Sequence, residues 1–283
     1  MFPDYFRFHV APHIDSFVKW MTVAWGPAFD AFSNTVLSML LRIEDLLLVI
    51  PWWLWLTGVM LISWLQTRRV RYPLALGLLL FSIGVFGLWE VSMETLAIII
   101  TAVIISLLLG IPLGIAMAES ERFSAVLTPV LDAMQTMPSF VYLIPALMLF
   151  GLGKVPGVVA TVIYSLPPVV RLTNLGIRQV SADVQEAARA FGATRWQMMR
   201  DVRLPLAVPS ILAGINQTTM MALAMVVIAS MIGAGGLGEL VLIATNRINV
   251  GDGFEAGWAI VVLAIIIDRL TQGLGKRWET PKT

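Results

Sequence analysis

The chain of 283 residues has no cysteine. This excludes a disulfide scaffold, an iron–sulfur site and thiolate zinc, and says little about compartment. Charge is also scarce, since Asp, Glu, Lys and Arg supply 13% of residues. Ordinary soluble domains carry about 25%. The formal net charge of +1 gives no electrostatic footprint for nucleic acid. There are two histidines. His9 and His13 are four apart with Pro12 between them, and no other His or Cys lies near. That falls short of the usual ligand count, so no metal site is expected. No Ser/His/Asp set or His–carboxylate array falls within the apolar segments, so the chain does not read as an enzyme. A phosphate-binding GxxxxGK[ST] loop is missing too. Gly151-Leu152-Gly153-Lys154 runs on into Val155 and reads as a turn. The glycine-rich Gly233–Gly238 follows an apolar span, where a phosphate loop would follow a strand. If ATP drives this protein, a different chain binds it.

Apolar residues are abundant, at 58% of the chain, and mean hydropathy is +0.84. A single water-soluble domain of this length could not bury that much apolar surface. Strand alternation is absent, which removes a β-barrel. The fold class is therefore all-α and integral to a membrane. A spanning helix needs roughly 20 mostly apolar residues. Seven segments qualify: Leu46–Leu65, Pro73–Trp89, Thr95–Ala118, Met134–Leu152, Val155–Val170, Pro209–Ile232 and Ala256–Leu270. Glu90 to Glu94 alone divide the second from the third, which predicts a tight hairpin there.

Lys and Arg set the orientation. Placing the loops after the first, third, fifth and seventh spans inside puts 14 basic residues in the cytoplasm and leaves five outside. The N-terminus is then outside and the C-terminus inside. Glu119 to Gln135 dissents, since this inside loop holds Arg122 against Glu119, Glu121 and Asp132. Acidic residues weigh little in the rule. Residues 1–45 lack the basic start, short apolar run and small-residue site of a signal peptide. Ile14, Phe17, Val18, Met21, Trp25, Phe29, Phe32, Val36 and Leu40 recur at helical spacing. They predict one or two amphipathic helices, broken at Gly26-Pro27, that lie on the outer surface or pack on the bundle.

The long loop from Thr173 to Pro205 predicts two short helices. Asp183 with Glu186 has capping-box spacing for the first, and Gly192 ends it. Thr194 with Gln197 caps the second, and Pro205 is expected to stop it. A helix–glycine–helix elbow of this kind suits docking into a partner's groove.

Glu186-Ala187-Ala188, then Gly192, then Val202-Arg203-Leu204-Pro205 resembles the EAA loop of bacterial ABC importer permeases, with Val202 where Ile is commoner. Met134–Pro145, Leu166–Asn174 and Gly233–Gly238 are similar to the permeases of glycine betaine, proline betaine and choline uptake systems. The likeness covers roughly residues 90–275. It implies a five-helix permease core over 93–275, whose coupling loop is 173–205. Residues 46–92 would be two accessory spans and 276–283 a cytoplasmic tail. It also implies a bacterial inner-membrane homodimer, two ATP-binding subunits inside that hold ATP and Mg, and a substrate-binding protein outside. Glu186, Ala187, Ala188, Gly192, Val202, Leu204 and Pro205 would couple to the ATPases. No cofactor is expected in this chain.

A permease needs a path for a polar solute, and polar groups deep in a bilayer are costly. Asn216-Gln217-Thr218-Thr219 interrupts the sixth span. Thr218 and Thr219 read as interhelical hydrogen bonding, while Asn216 and Gln217 read as either path or glue. A quaternary ammonium group is held by aromatic faces. Phe140, Tyr142 and Trp89 are candidates, whereas Trp52, Trp53, Trp55 and Trp64 fit an interfacial belt. Met220, Met221, Met225 and Met231 suit a repacking surface or an ordinary core. Gly110, Gly114 and Gly214 predict close helix contacts, and Asp268 and Arg269 read as interfacial. The expected activity is uptake of quaternary ammonium osmolytes. The alternatives are a permease for another small solute such as an amino acid, or a secondary transporter. A secondary transporter would usually show an ionisable residue at mid-span for ion coupling.

Overall fold

The computed structural model describes residues 10–276, which are helical with no strand among them. Three helices form the centre: α4 (Trp89–Glu119), α7 (Lys154–Arg178) and α10 (Leu204–Ala229). Small residues allow their close approach. A Cβ at Gly110 would lie 2.4 Å from Val169 Cγ1, and one at Gly114 would lie 2.7 Å from the Val170 carbonyl oxygen. Across the other face of α7, a Cβ at Gly214 would meet the Val169 Cα at 3.1 Å. The close contacts expected at these three glycines are therefore present. Ser106 and Ser165 add a buried hydrogen bond of 3.1 Å between α4 and α7. Lipid offers helices no hydrophobic drive toward one another, so this contact rests on van der Waals fit and a few polar bonds.

Around this centre lie α1 (Ala11–Val49), α2 (Trp52–Thr67), α3 (Arg71–Val85), α5 (Glu121–Thr136) and α6 (Leu143–Phe150). The chain closes with α11 (Leu237–Asn246) and α12 (Val250–Lys276). Two expected spans are broken. Leu46–Leu65 divides at Ile50-Pro51, where α1 and α2 meet at 91°. Met134–Leu152 divides at Met137-Pro138, where α5 meets the segment Ser139–Phe150 at 110°. The cause is the same in both: the residue before proline is pushed to extended backbone. Ile50 has ψ 119° and Met137 has ψ 136°. By length and composition, four helices among the described residues can each cross a membrane, or up to six spans if each bent pair counts as one. The expected seven is not reached on that measure, because α3 has only 15 residues.

Three other expectations are corrected. The N-terminal helix is not broken at Gly26-Pro27: α1 runs through Pro27 for 39 residues, so the boundary at 45/46 falls inside it. One interior proline removes one backbone hydrogen bond, while the flanking turns keep theirs. Residues 1–9 of that region, including His9, and tail residues 277–283 lie outside the described set. The hairpin before α4 turns at Phe86–Leu88, where Gly87 takes φ +71°, and Glu90 to Glu94 already lie in α4. The long loop is shorter than expected, since α7 continues to Arg178.

The second half of α1 packs on the centre through Val36 and Leu40. Lys154 at the start of α7 fastens it, bonding Glu44 at 2.8 Å and Glu94 at 2.9 Å. Glu94 is near the start of α4 and Glu119 is its last residue, so the Lys154 cluster and the elbow occupy opposite ends.

Replacing Gly114 with Leu should lower stability by about 1–3 kcal/mol, the range for overpacking. Thermal unfolding in detergent measures this. Gly58→Ala, which faces nothing within 4 Å, should leave the midpoint unchanged or slightly raised.

Candidate functional site: the elbow and the polar band of α10

After α7 the chain forms α8 (Ala182–Ala190) and then α9 (Arg195–Gln197). The turn between them is a Schellman motif: Ala193 N–H donates to Ala188 O at 3.0 Å and Gly192 N–H donates to Arg189 O at 2.9 Å. Gly192 has φ +83°, a conformation that costs a side chain about 1–2 kcal/mol. Its surroundings are open to 4 Å, so the constraint on this residue is backbone shape. Thr194 and Gln197 form the expected capping box. The box expected from Asp183 and Glu186 does not form. The helix starts at Ala182 with Ser181 as an unbonded cap, which leaves Asp183 in the first turn.

Pro205 does not stop the second helix. A π-helical turn, Met198–Arg203, leads from α9 straight into α10, and Leu204 N–H donates to Met199 O. The wider turn shifts the bonding register just before the ring, so the missing proline N–H sits in the first turn of α10. Residues 195–232 thus form one continuous helical rod. Val202, Leu204 and Pro205 lie on that rod, and Glu186, Ala187 and Ala188 lie on α8. Glu186 and Ala187 are exposed, and Ala188 is half-buried.

Arg203 joins these pieces. Its guanidinium donates to Gln185 Oε1 from Nε at 3.0 Å and from Nη2 at 2.7 Å. Nη1 donates to Glu119 Oε1 at 2.9 Å. One planar fork therefore holds α8, the π turn and the end of α4. Two further pairs brace the same end: Arg178 bonds Glu121, and Arg171 bonds Asp132. Arg178 Nη2 also donates to Met117 O at 2.7 Å. The acidic residues that dissented from the charge rule are hence partners of the basic elbow. Phe191, 93% exposed, and Trp196, 70% exposed, flank Gly192. Sequence reasoning singled out none of Gln185, Phe191 and Trp196, and quoted Arg203 only within the motif. Two large aromatics in an otherwise charged elbow were the available signal.

The polar band of α10 is less unified. Asn216 Nδ2 donates to Asp268 Oδ1 at 3.4 Å, and Thr271 Oγ1 donates to Asn216 Oδ1. Asn216 therefore joins α10 to α12. Asp268, expected to be interfacial, belongs to this interhelical set and also accepts from Gln272 at 2.7 Å. Gln217, one residue on, is exposed. Thr219 bonds its own helix at Ile215 O, and buried Thr218 Oγ1 has no partner among the described residues, so neither bridges helices as expected. A helical turn spreads four consecutive side chains around the axis, which sequence adjacency does not convey. Phe140 is 53% exposed on the 3-10 turn Ser139–Tyr142. Tyr142 is buried, donates to Met134 O, and its ring meets Tyr164 at 6.2 Å. Asn216 and Tyr142 thus have structural bonds, while Gln217 and Phe140 remain uncovered. Among the described residues, no three His, Asp or Glu side chains converge as a metal site would require.

A bundle of apolar helices with a braced elbow at one end is the architecture of an all-helical membrane component. Residues 110–279 match the family described as binding-protein-dependent transport system inner membrane component, and the chain belongs to it. It is a permease subunit, a transport component. It is 48% identical to the glycine betaine/proline betaine transport system permease protein ProW of Escherichia coli, over 92% of this chain and 73% of that protein. It is 46% identical to the glycine betaine transport system permease protein OpuAB of Bacillus subtilis, over 95% of both. The MetNI methionine ABC transporter, solved in inward-facing conformations, shares the fold. Its TM-score is 0.63 at 20% identity, over 68% of this chain and 96% of the solved one.

Arg203→Lys should keep the charge but lose the three-way fork. Amide exchange across Gln185–Ala190 should then quicken about tenfold, within the range for hydrogen bonds to charged groups. Arg200→Lys, exposed and among the described residues paired only with neighbouring Asp201 at 3.9 Å, should change nothing. Unchanged exchange in Arg203→Lys would remove the tether.

Proposed function

We propose that this chain carries quaternary ammonium osmolytes such as glycine betaine, proline betaine or choline across the bacterial inner membrane, as a homodimer. The observation that carries this is the near full-length likeness to betaine permeases in two organisms, each at more than 45% identity. Two ATP-binding subunits dock on the cytoplasmic side and hold the ATP and Mg. An extracytoplasmic binding protein delivers the solute at the other side. The N-terminus is outside and the C-terminus inside, consistent with basic residues concentrated at the elbow end.

The elbow is the coupling element, with Glu186, Ala187, Ala188 and Gly192 presented to the ATPase together with Phe191 and Trp196. ATP binding closes the two ATPases and displaces α8. Two rigid connections transmit the displacement. One is the Arg203 fork, which reaches α4 through Glu119. The other is the continuous rod through Val202, Leu204 and Pro205 into α10. The spans then open outward, and hydrolysis returns them. Gln217 and Phe140, uncovered within one chain, face the path, which needs only weak attraction for release to remain fast. Asn216 and Tyr142 hold the walls. The methionine transporter's likeness is one of fold alone and does not favour an amino-acid substrate.

Labelled glycine betaine and choline should enter cells that lack other osmolyte carriers but express this chain with its neighbouring ATPase and binding-protein genes. An ATPase-dead control should abolish uptake. Absence of both substrates from cells with an assembled complex would rule out the substrate class. In that same system, Gly192→Leu should retain ATP hydrolysis while uptake falls at least about tenfold, because the left-handed turn costs a side chain about 1–2 kcal/mol and shifts α8. Normal coupled uptake would remove the elbow from the mechanism.

A further inference from the structure

At the end of the bundle opposite the elbow, a cleft of about 580 Å³ opens between α2, α3 and the first turn of α4. Three aromatic side chains line it: Trp52, Phe81 and Trp89. The Trp52 and Phe81 rings sit 6.3 Å apart at 53°, so they form two non-parallel walls. Trp89 and Glu90 come from the start of α4, and Glu90 adds a carboxylate to the lining. Among the described residues Glu90 has no ion-pair partner, whereas the carboxylates of Glu44, Glu94, Glu119 and Glu121 are all paired. Gly84 lines the cleft as well, and a Cβ there would meet nothing within 4 Å. Gly84 is exposed, so the open space beside it is kept by a missing side chain at the cleft's surface.

Aromatic faces attract a cation through the ring quadrupole, and recognition of quaternary ammonium by such walls needs no hydrogen bond on nitrogen. A carboxylate nearby supplies the counter-charge. Trp55, one residue from a turn beyond Trp52, is committed differently: its indole N–H donates to Leu47 O at 3.2 Å. Position in an interfacial belt does not by itself bring Trp52, Phe81, Trp89 and an unpaired carboxylate onto one cavity.

We infer that this cleft is a quaternary ammonium site, formed by Trp52, Phe81, Trp89 and Glu90, outside the residues 110–279 that define the family. It goes beyond the transport proposal, because it assigns binding to the accessory helices and not to the path. Two sources supply the same chemical group: a free choline-type solute, or the choline headgroup of a neighbouring lipid that enters from the side.

The full chain is reconstituted into nanodiscs of phosphatidylethanolamine and phosphatidylglycerol, and labelled choline is titrated in. Choline should bind and be displaced by tetramethylammonium. Gly84→Leu puts a bulky side chain into the cleft without a strained backbone and should abolish that binding. Glu90→Gln should weaken it roughly fivefold, the worth of one close charge in a watery setting. Trp52→Leu should weaken it by a similar factor, the worth of one cation–π wall. Helical circular dichroism and size-exclusion elution establish that each variant is folded, and Glu90→Gln alters no packing. Nanodiscs of phosphatidylcholine separate the two sources. Loss of free choline binding there, with phosphatidylcholine retained through delipidation by the parent chain but not by Gly84→Leu, identifies the headgroup as an occupant. Retained choline binding in those discs identifies the free solute. Choline binding and phosphatidylcholine retention that are absent, or that are identical in the parent, Gly84→Leu and Glu90→Gln, overturn the site. Binding is read without ATP or uptake, so failed transport by an assembled complex leaves this result standing, and the reverse also holds.

Discussion

The close approach of α7 to α4 on one side and α10 on the other is the contact on which the other features hang. Lipid tails are as apolar as leucine, so helices within a bilayer gain little by hiding apolar surface from them. They gain by fit. Glycines at 110, 114 and 214 bring backbone within reach of backbone, and the buried Ser106–Ser165 bond marks the same seam. The elbow and the N-terminal helix are both attached to these three helices. The elbow is suspended between the end of α7 and the start of α10. The end of α4 receives the Arg203 fork, and α1 is fastened to the opposite ends of α4 and α7 through Lys154.

The two ends of the centre are built differently. At the elbow end, arginines from α7 and the π turn meet acids from α4 and α5 in separate pairs, with two of the arginines also bonded to an amide oxygen or a backbone carbonyl. Such charge-assisted forks give direction as well as energy. At the opposite end a single lysine serves two carboxylates, and the accessory helices leave an aromatic cleft beside it. The elbow is therefore held by an oriented set of bonds, and the π turn keeps the helix continuous into α10. Phe191 and Trp196 stand exposed beside this braced linkage.

Much of the elbow was legible in the sequence because it is local. The Gly192 turn and the Thr194–Gln197 box depend on neighbours within a few residues, and their chemistry allows few alternatives. The Asp183–Glu186 box failed because the helix begins at Ala182, which puts Asp183 inside its first turn. The role of Arg203 was not legible, because its partners are 18 and 84 residues away. For the same reason the bond between Asp268 and Asn216, 52 residues apart, was not legible.

The sequence by itself determined that this is a helical membrane protein, where most of its apolar segments lie, and where the helix–glycine–helix elbow falls. Those properties follow from composition, periodicity and short-range turn chemistry. Tertiary structure alone decided how the segments are used. Proline divided two spans that composition joined, and a π turn joined two helices that proline appeared to divide. Distant pairing tied Asn216 to Asp268 and Thr271, a local bond tied Tyr142 to Met134, and Gln217 and Phe140 were left exposed. The physical reason is common to all of these. Which side chains meet across a bundle depends on helix rotation and crossing, and neither is written in the spacing of residues along one helix.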